Sequence, residues 1–205
     1  DFKKTGQISE ADQAKIAEAA EILRNGGLVA FPTETVYGLG GDARLKEASR
    51  RIYEAKGRPS DNPLIVHISD ISQLDAVASD ISDAARMMAD KYWPGPLTMV
   101  FKKTDLIPYE TTGGLDTVAV RYPVHPVAKA LIAATGAYIA APSANISGRP
   151  STTAAAHCIE DLSGRVEAIV DGGDCEIGLE STILDVSGDI PQLLRPGAVT
   201  TEMIE

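Results

Sequence analysis

Five polar or glycine-bearing turns, each adjoining a short apolar run, place the strongest constraint on the fold. They occupy residues 32–38, 56–63, 121–123, 142–145 and 178–182. An α/β sheet presents its ligand-binding groups at strand ends, because the loops there converge on one crevice. The pattern therefore predicts an α/β enzyme with one shared pocket.

Length and composition favour a single domain over residues 1–205. With 205 residues, 44% of them hydrophobic, the chain can bury a sizeable core. The sequence contains no apolar run long enough to span a bilayer and no secretory signal, so we expect a cytoplasmic protein without a membrane partner. Cys158 and Cys175 have no CxxC spacing or clustered histidines, so we interpret both as ordinary thiols.

The acidic composition argues against a general nucleic-acid-binding protein. The chain carries 29 acidic and 19 basic residues, a formal net charge of −10. Nonspecific binding to phosphate backbones depends on their neutralisation by Lys and Arg. A cleft can nevertheless concentrate positive charge in an acidic protein, so a local basic site is compatible with this sequence.

Hydrophobic periodicity predicts helices that alternate with strands through most of the chain. Helices are predicted over residues 9–24, 46–55, 82–92, 126–135 and 152–162, and strands over residues 28–31, 64–68, 97–101, 118–120, 138–141, 168–170, 181–186 and 192–194. The last strands follow one another, and strands joined by short links pair antiparallel. We therefore expect a twisted sheet of mixed direction with helices packed on it.

A glycine-rich segment at residues 38–43 matches the GxGxxA form of the dinucleotide-binding fingerprint. Six residues separate Phe31, the end of the preceding strand, from Gly38, whereas the fingerprint opens the turn directly after its strand. We therefore do not predict a dinucleotide-binding domain. The sequence also lacks a Walker A loop, a GxSxG elbow and an HExxH zinc motif.

Two cations flank a glycine where the second predicted helix ends, at Lys56 and Arg58, and Asn62 precedes the next strand. This layout suits phosphate oxygens that are approached from several directions. Cations in a last helical turn also complement the helix dipole without binding a ligand. Arg121 and Arg195 follow short strands, where they either meet the same anion or tether loops. The acidic residues available for such tethers are Glu34, Asp61 and Glu180.

Short polar side chains follow another strand at Ser143 and Asn145. They either present hydrogen-bonding groups to a ligand or satisfy the backbone of their own turn. His67 ends an apolar strand, where a histidine is commonly a satisfied core residue, and Thr35 and Ser181 are equally unspecific alone.

Taken together, these motifs closely resemble the YrdC-type threonylcarbamoyl-AMP synthase family over nearly the whole chain. The matching segments are residues 31–39, 56–58, 62–67, 93–98, 142–148, 178–182 and 194–197. The Lys56–Arg58 and Ser143–Asn145 pairs both have the family spacing. The resemblance implies a YrdC-like twisted sheet with flanking helices and a large concave active-site cavity.

The resemblance also implies a reaction and a set of site residues. L-threonine, bicarbonate or CO2, and ATP give threonylcarbamoyl-AMP and pyrophosphate, and a tRNA threonylcarbamoyl transferase machinery receives the product for threonylcarbamoyladenosine synthesis. By position, Lys56, Arg58, Ser143 and Asn145 are implied to be catalytic. ATP is implied to contact Lys56, Arg58, Asn62, Thr117, Ser143, Ser151 and Arg195, and threonine to contact Thr35, His67, Arg121, Ser181 and the backbone of Ala141. Mg²⁺ is expected to arrive on the ATP phosphates and not on protein side chains.

Two other functions use similar features. A double-stranded-RNA-binding or ribosome maturation factor, with weak RNA binding, could use the same basic cavity, and a carbamoyl-adenylate domain could serve another acceptor, as in hydrogenase maturation. Some family members continue through a linker into a further C-terminal domain, which this sequence does not contain.

Overall fold

The computed structural model describes residues 2–204, and of Lys3 and Lys4 only the backbone. Asp1 and Glu205, the ends of the predicted domain, lie outside the described residues. The helices are α1 Phe2–Thr5, α2 Glu10–Arg24, α3 Lys46–Lys56, α4 Leu74–Val77, α5 Asp83–Tyr92, α6 Pro126–Thr135, α7 Ala155–Leu162 and α8 Thr201–Ile204. The strands are β1 Val29–Phe31, β2 Gly38–Asp42, β3 Ile65–His67, β4 Ala78–Ser79, β5 Leu97–Lys103, β6 Thr117–Arg121, β7 Ile139–Ala140, β8 Ala168–Ile169, β9 Thr182–Asp185 and β10 Gln192–Arg195.

Local sequence signals explain where the longer helices begin and end. Ser9 and Asp12 form the capping box that starts α2. Gly57 ends α3 and Gly136 ends α6, each in the left-handed conformation that glycine adopts without strain. Helices α2 and α5 begin one residue later than predicted, at Glu10 and Asp83, and α7 begins three residues later, at Ala155.

Ten strands form one sheet in the order β10-β9-β5-β6-β3-β7-β2-β1-β8, with β4 paired to β5. The pairs β1–β8, β3–β6 and β5–β9 are parallel, and the others are antiparallel. The predicted mixed sheet is therefore confirmed. Helices α2 and α6 bury one apolar cluster against β1 and β7, and a larger cluster lies on the other face of the sheet. No helix among residues 2–204 is long and apolar enough to cross a bilayer.

The end of the chain departs from the predicted succession of neighbouring strands. Of the last three strands, β9 and β10 pair antiparallel with each other. Strand β8 instead pairs parallel with β1, at the opposite edge of the sheet. The connection over residues 170–181 therefore passes from one edge region to the other. It is fastened on the way, because Tyr37 Oη donates to Gly173 O at 2.7 Å and Ile177 N donates to Glu34 O at 2.9 Å.

Strand β2 was missed because glycine has a low strand propensity. Packing requires the glycine here, since a Cβ on Gly40 would lie 2.8 Å from Phe31 Cε1 and 2.9 Å from Ile139 Cγ2. The segment that imitates a dinucleotide fingerprint is thus a buried strand packed closely between its neighbours.

Candidate active site

A cavity lies on one face of the central strands. Its floor contains Ile65 and His67 from β3, and Ala119 and Arg121 from β6. These positions alternate along each strand, and the parallel register pairs His67 with Arg121, whereas Val66 joins the core on the other face. The sequence placed the pocket in loops at strand ends, but its floor is the sheet itself and the loops form the rim.

Arg121 is fixed in this floor by two acceptors on the turn after β1. Its Nη2 donates to Glu34 Oε1 at 2.6 Å and its Nη1 donates to Thr35 Oγ1 at 2.8 Å. Both side chains of the Glu34–Arg121 pair are only 4% exposed. Arg121 Nε and Glu34 Oε2 are buried without a hydrogen-bond partner among the described residues. Thr35 thus lies directly behind the arginine, and Thr33 beside it lines the cavity.

His67 contributes a neutral ring to the same floor. Burial and the neighbouring charge of Arg121 lower the pKa of His67 to about 3, so the imidazole carries no charge at neutral pH. Its Nδ1 lies 3.0 Å from Ile65 O. Ala141 N also donates to Ile65 O, at 2.8 Å, which brings the end of β7 into the cavity wall.

Lys56 lies behind the wall and not on it. Its Nζ donates to the backbone oxygens of Ser143 and Asn145, and the residue is 1% exposed. Burial, aided by the charge of Arg58, lowers the pKa of Lys56 to about 8. The Asn145 amide also stays within its loop, where Nδ2 donates to the oxygens of Ile146 and Arg149 at 2.9 Å each. Of Lys56, Ser143 and Asn145, it is Ser143 that lines the cavity.

Arg58 and Asn62 form one side of the rim. Arg58 Nη2 donates to Asn62 Oδ1 at 2.6 Å and its Nε donates to Asn62 O at 3.1 Å. Both residues line the cavity. Burial lowers the pKa of Arg58. Arg58 is therefore tethered by the side-chain amide and the backbone oxygen of Asn62.

Arg195 and Glu180 form another part of the rim. Arg195 Nη1 donates to Glu180 Oε2 at 3.0 Å, and Ser151 Oγ donates to Glu180 Oε1 at 2.6 Å. Arg195 Nη2 also donates to Ser181 O at 2.9 Å and to Ser181 Oγ at 3.2 Å. Ser181 Oγ is itself 2.7 Å from Thr98 Oγ1. The carboxylate of Glu180 thus bridges two of the residues predicted to contact ATP.

The structure gathers most of the predicted site residues around this cavity. Those that line it are Arg58, Asn62, His67, Arg121, Ala141, Ser143, Ser181 and Arg195. Thr35, Lys56 and Ser151 each lie one hydrogen bond behind a residue that lines the cavity, and the backbone oxygen of Asn145 is bonded to Lys56. Thr117 lies at the start of β6, two residues before Ala119 and outside the lining set.

Sequence reasoning missed the apolar wall, formed by Val100 on β5, Ile183 on β9 and Leu194 on β10. The alternation of side chains along β5 and β9 was the available signal. Tyr37 and Val36 were seen only as part of a motif, although both line the cavity.

Comparisons with known proteins agree with this architecture. A model of the Sua5/YciO/YrdC family, described as telomere recombination, matches residues 21–197. The threonylcarbamoyl-AMP synthase of Pyrococcus abyssi is 54% identical over 194 residues, which cover 95% of this chain and 57% of that protein. The threonylcarbamoyl-AMP synthase of Bacillus subtilis is 54% identical over 202 residues, which cover 98% of this chain and 58% of that protein.

A solved structure extends the similarity to three dimensions. The crystal structure of P. abyssi Sua5 complexed with L-threonine matches with a TM-score of 0.89 and 55% sequence identity, over 90% of this chain and 54% of that chain. The present chain therefore spans little more than half the length of these relatives. With a family model matched over most of its length, this chain belongs to the Sua5/YciO/YrdC family.

Proposed function

We propose that this chain carries the active site of a threonylcarbamoyl-AMP synthase, which uses L-threonine, bicarbonate or CO2, and ATP. The observation that carries the proposal is the division of cations within one cavity. Arg121 is buried in the floor, whereas Arg58 and Arg195 lie at the rim. The synthases of P. abyssi and B. subtilis, each 54% identical, support the same reaction.

The floor suits the amino acid. Arg121 has a planar guanidinium that can hold a carboxylate with two parallel hydrogen bonds, and its Nε has no hydrogen-bond partner among residues 2–204. Ser181 Oγ and the neutral ring of His67 line the same cavity and offer hydrogen bonds to a hydroxyl or amine. A related Sua5 structure contains L-threonine, in agreement with this assignment.

The rim suits the triphosphate. An oxygen of threonine carbamate attacks the α-phosphorus of ATP, and the bond to the departing pyrophosphate breaks. Carbamate and triphosphate are both anions, so cations must offset their repulsion; a pair of unit charges at 4 Å contributes about 4 kcal/mol at an effective dielectric near 20. Arg58 and Arg195 are placed to do this directly, while Lys56 orders the Ser143–Asn145 loop.

Mg²⁺ fits this cavity as an ion carried by the nucleotide. Among the described residues, no group of three His, Cys, Asp or Glu side chains could hold a metal ion. Mg²⁺ commonly binds through substrate phosphates, water and one or two carboxylates, and would reduce the charge of the triphosphate. The transferase machinery that would consume the product is proposed on the same basis.

Pyrophosphate release from ATP tests the proposal. We expect release only when threonine and bicarbonate are both present, and we expect Arg58→Gln to lower the rate by about a hundredfold. Arg86→Gln is the matched control, because this exposed arginine pairs with Asp75 away from the cavity. Release without threonine would contradict the proposed activity, and tight RNA binding without turnover would favour the RNA-binding alternative.

A further inference from the structure

Glu180 is the single carboxylate among the described residues that line the cavity. Its two oxygens take different partners, the hydroxyl of Ser151 at 2.6 Å and the guanidinium of Arg195 at 3.0 Å. A carboxylate in this position presents its oxygens to the same donors that a phosphate group would use. It therefore occupies part of the proposed nucleotide site.

The negative charge of Glu180 acts on both rim arginines, Arg58 and Arg195, and on Lys56 behind the wall. Burial lowers the pKa values of Lys56, Arg58 and Arg195, and in each case the charge of Glu180 opposes this shift. The carboxylate thus lies within electrostatic range of all three. In the protein without ligand, it partly neutralises the basic cavity.

The contacts of Glu180 can be exchanged. The side chains of Arg195 and Glu180 are 33% and 37% exposed, so water can solvate either group when the pair separates. The backbone around Glu180 is fastened before and after it, by Ile177 N to Glu34 O at 2.9 Å and by Thr182 N to Pro96 O at 3.0 Å. A rotation of the side chain therefore suffices to release the donors.

We propose that Glu180 is an internal anion that occupies Ser151 and Arg195 until the phosphates of the nucleotide displace it. This inference rests on the proposed function of the cavity. A singly charged ion such as bicarbonate or chloride gains little by replacing one carboxylate, whereas a polyphosphate offers several charges to the same donors. Glu180 is thereby a specificity-determining residue that reserves the rim for polyphosphate.

Calorimetric titration with pyrophosphate, without Mg²⁺, tests this role on the full chain. We expect Glu180→Gln to bind pyrophosphate about tenfold more tightly than the unaltered protein, because the competing charge is gone. Glu180→Ala should show the same direction, which separates charge from side-chain shape. Asp174→Asn is the matched control, since Asp174 is an exposed acid on the same connection and outside the cavity; its affinity should stay within about twofold.

A double substitution locates the competition. In an Arg195→Gln background, Glu180→Gln should tighten binding by less than it does alone, since the Glu180 carboxylate and the ligand compete for the Arg195 guanidinium. Suppose that the unaltered protein binds pyrophosphate and turns over, but a folded Glu180→Gln variant binds pyrophosphate equally or more weakly. That result refutes the role of Glu180 as an internal anion and leaves the proposed activity intact. If no variant binds pyrophosphate, the nucleotide site itself is refuted, and the inference with it.

Discussion

Two arginine–glutamate pairs share the cavity, Glu34–Arg121 in the floor and Glu180–Arg195 at the rim, and they differ chiefly in exposure. Both side chains of the floor pair are 4% exposed, whereas those of the rim pair are 33% and 37% exposed. Their separations are similar, 2.6 Å and 3.0 Å. The same two residue types therefore make one pair enclosed by protein and one pair in contact with water.

The difference indicates two kinds of binding group. A buried charge that loses its partner has no water to replace it, so Glu34 holds the Arg121 guanidinium in one orientation. A pair in contact with water separates at little cost, so Arg195 can change partners during a reaction. The floor is thus suited to an unchanging contact with the proposed amino-acid substrate, and the rim to the proposed phosphate groups, which arrive and leave.

The largest expected effect is on stability. Arg121→Gln leaves Glu34 as an uncompensated buried charge and should lower the free energy of unfolding by about 3–5 kcal/mol. Arg195→Gln makes the same chemical change in the exposed pair and should cost less than about 1 kcal/mol. Urea denaturation at pH 7 measures both. Equal losses in the two variants would remove the distinction between floor and rim.

The KM values for threonine and ATP give a second test of the difference between floor and rim, with a smaller expected effect. Arg121→Lys keeps the charge but loses the planar fork, so the KM for threonine should rise about tenfold while the KM for ATP changes little. Arg195→Lys should raise the KM for ATP more than the KM for threonine. Steady-state kinetics with each substrate varied in turn distinguishes them, and a larger ATP effect from Arg121→Lys would contradict the assignment of the floor.

The smallest effect concerns pH and a third cation, Lys56, which is buried like Arg121 but bonded to neutral carbonyls. Its pKa is lowered from 10.5 to about 8, so the ammonium loses its proton as pH rises through about 8. Turnover should fall by about half at that pH, because a neutral amine makes weaker hydrogen bonds to the two loop carbonyls than the charged ammonium does. In Lys56→Arg, which stays protonated, the alkaline fall should move to higher pH.

Stability should change in the opposite direction in the same window. Between pH 8 and 10.5 the unfolded chain binds more protons at Lys56 than the folded chain does. The contribution of Lys56 to the free energy of unfolding therefore rises with pH there, and is lost as pH falls through about 8. Denaturation midpoints of the unaltered protein and Lys56→Met, compared from pH 7 to 10, measure this contribution. A parallel course in both proteins would contradict the lowered pKa.

Local signals predicted most of the fold. The capping box at Ser9, and Pro126 with Gly136 around α6, mark helix ends because these residues satisfy or terminate the helix within a few positions. Strand β2 was not predictable in the same way, since its glycines are required by side chains of Phe31 and Ile139 that meet them only in the folded sheet.

The sequence predicted which residues form the site more completely than it predicted their hydrogen-bond and ion-pair partners. Lys56 and the oxygen of Ser143 are 87 positions apart in sequence, and only the sheet brings the end of α3 under that loop. The sequence offered three acidic partners for its arginines. Arg121 takes Glu34 and Arg195 takes Glu180, a choice that depends on strand register and on the path of the connection before β9.

The connection over residues 170–181 has a consequence for how the cavity could be divided. A single cleavage beside Leu179, which is 53% exposed, would release a C-terminal fragment that carries Glu180, Ser181 and Arg195. The N-terminal fragment would keep Arg58 and Arg121. Because β9 joins the rest of the sheet by parallel pairing with β5, the two fragments have an interface through which they could reassemble. The connection is therefore a suitable place to divide the chain for a two-fragment reporter whose signal depends on both fragments.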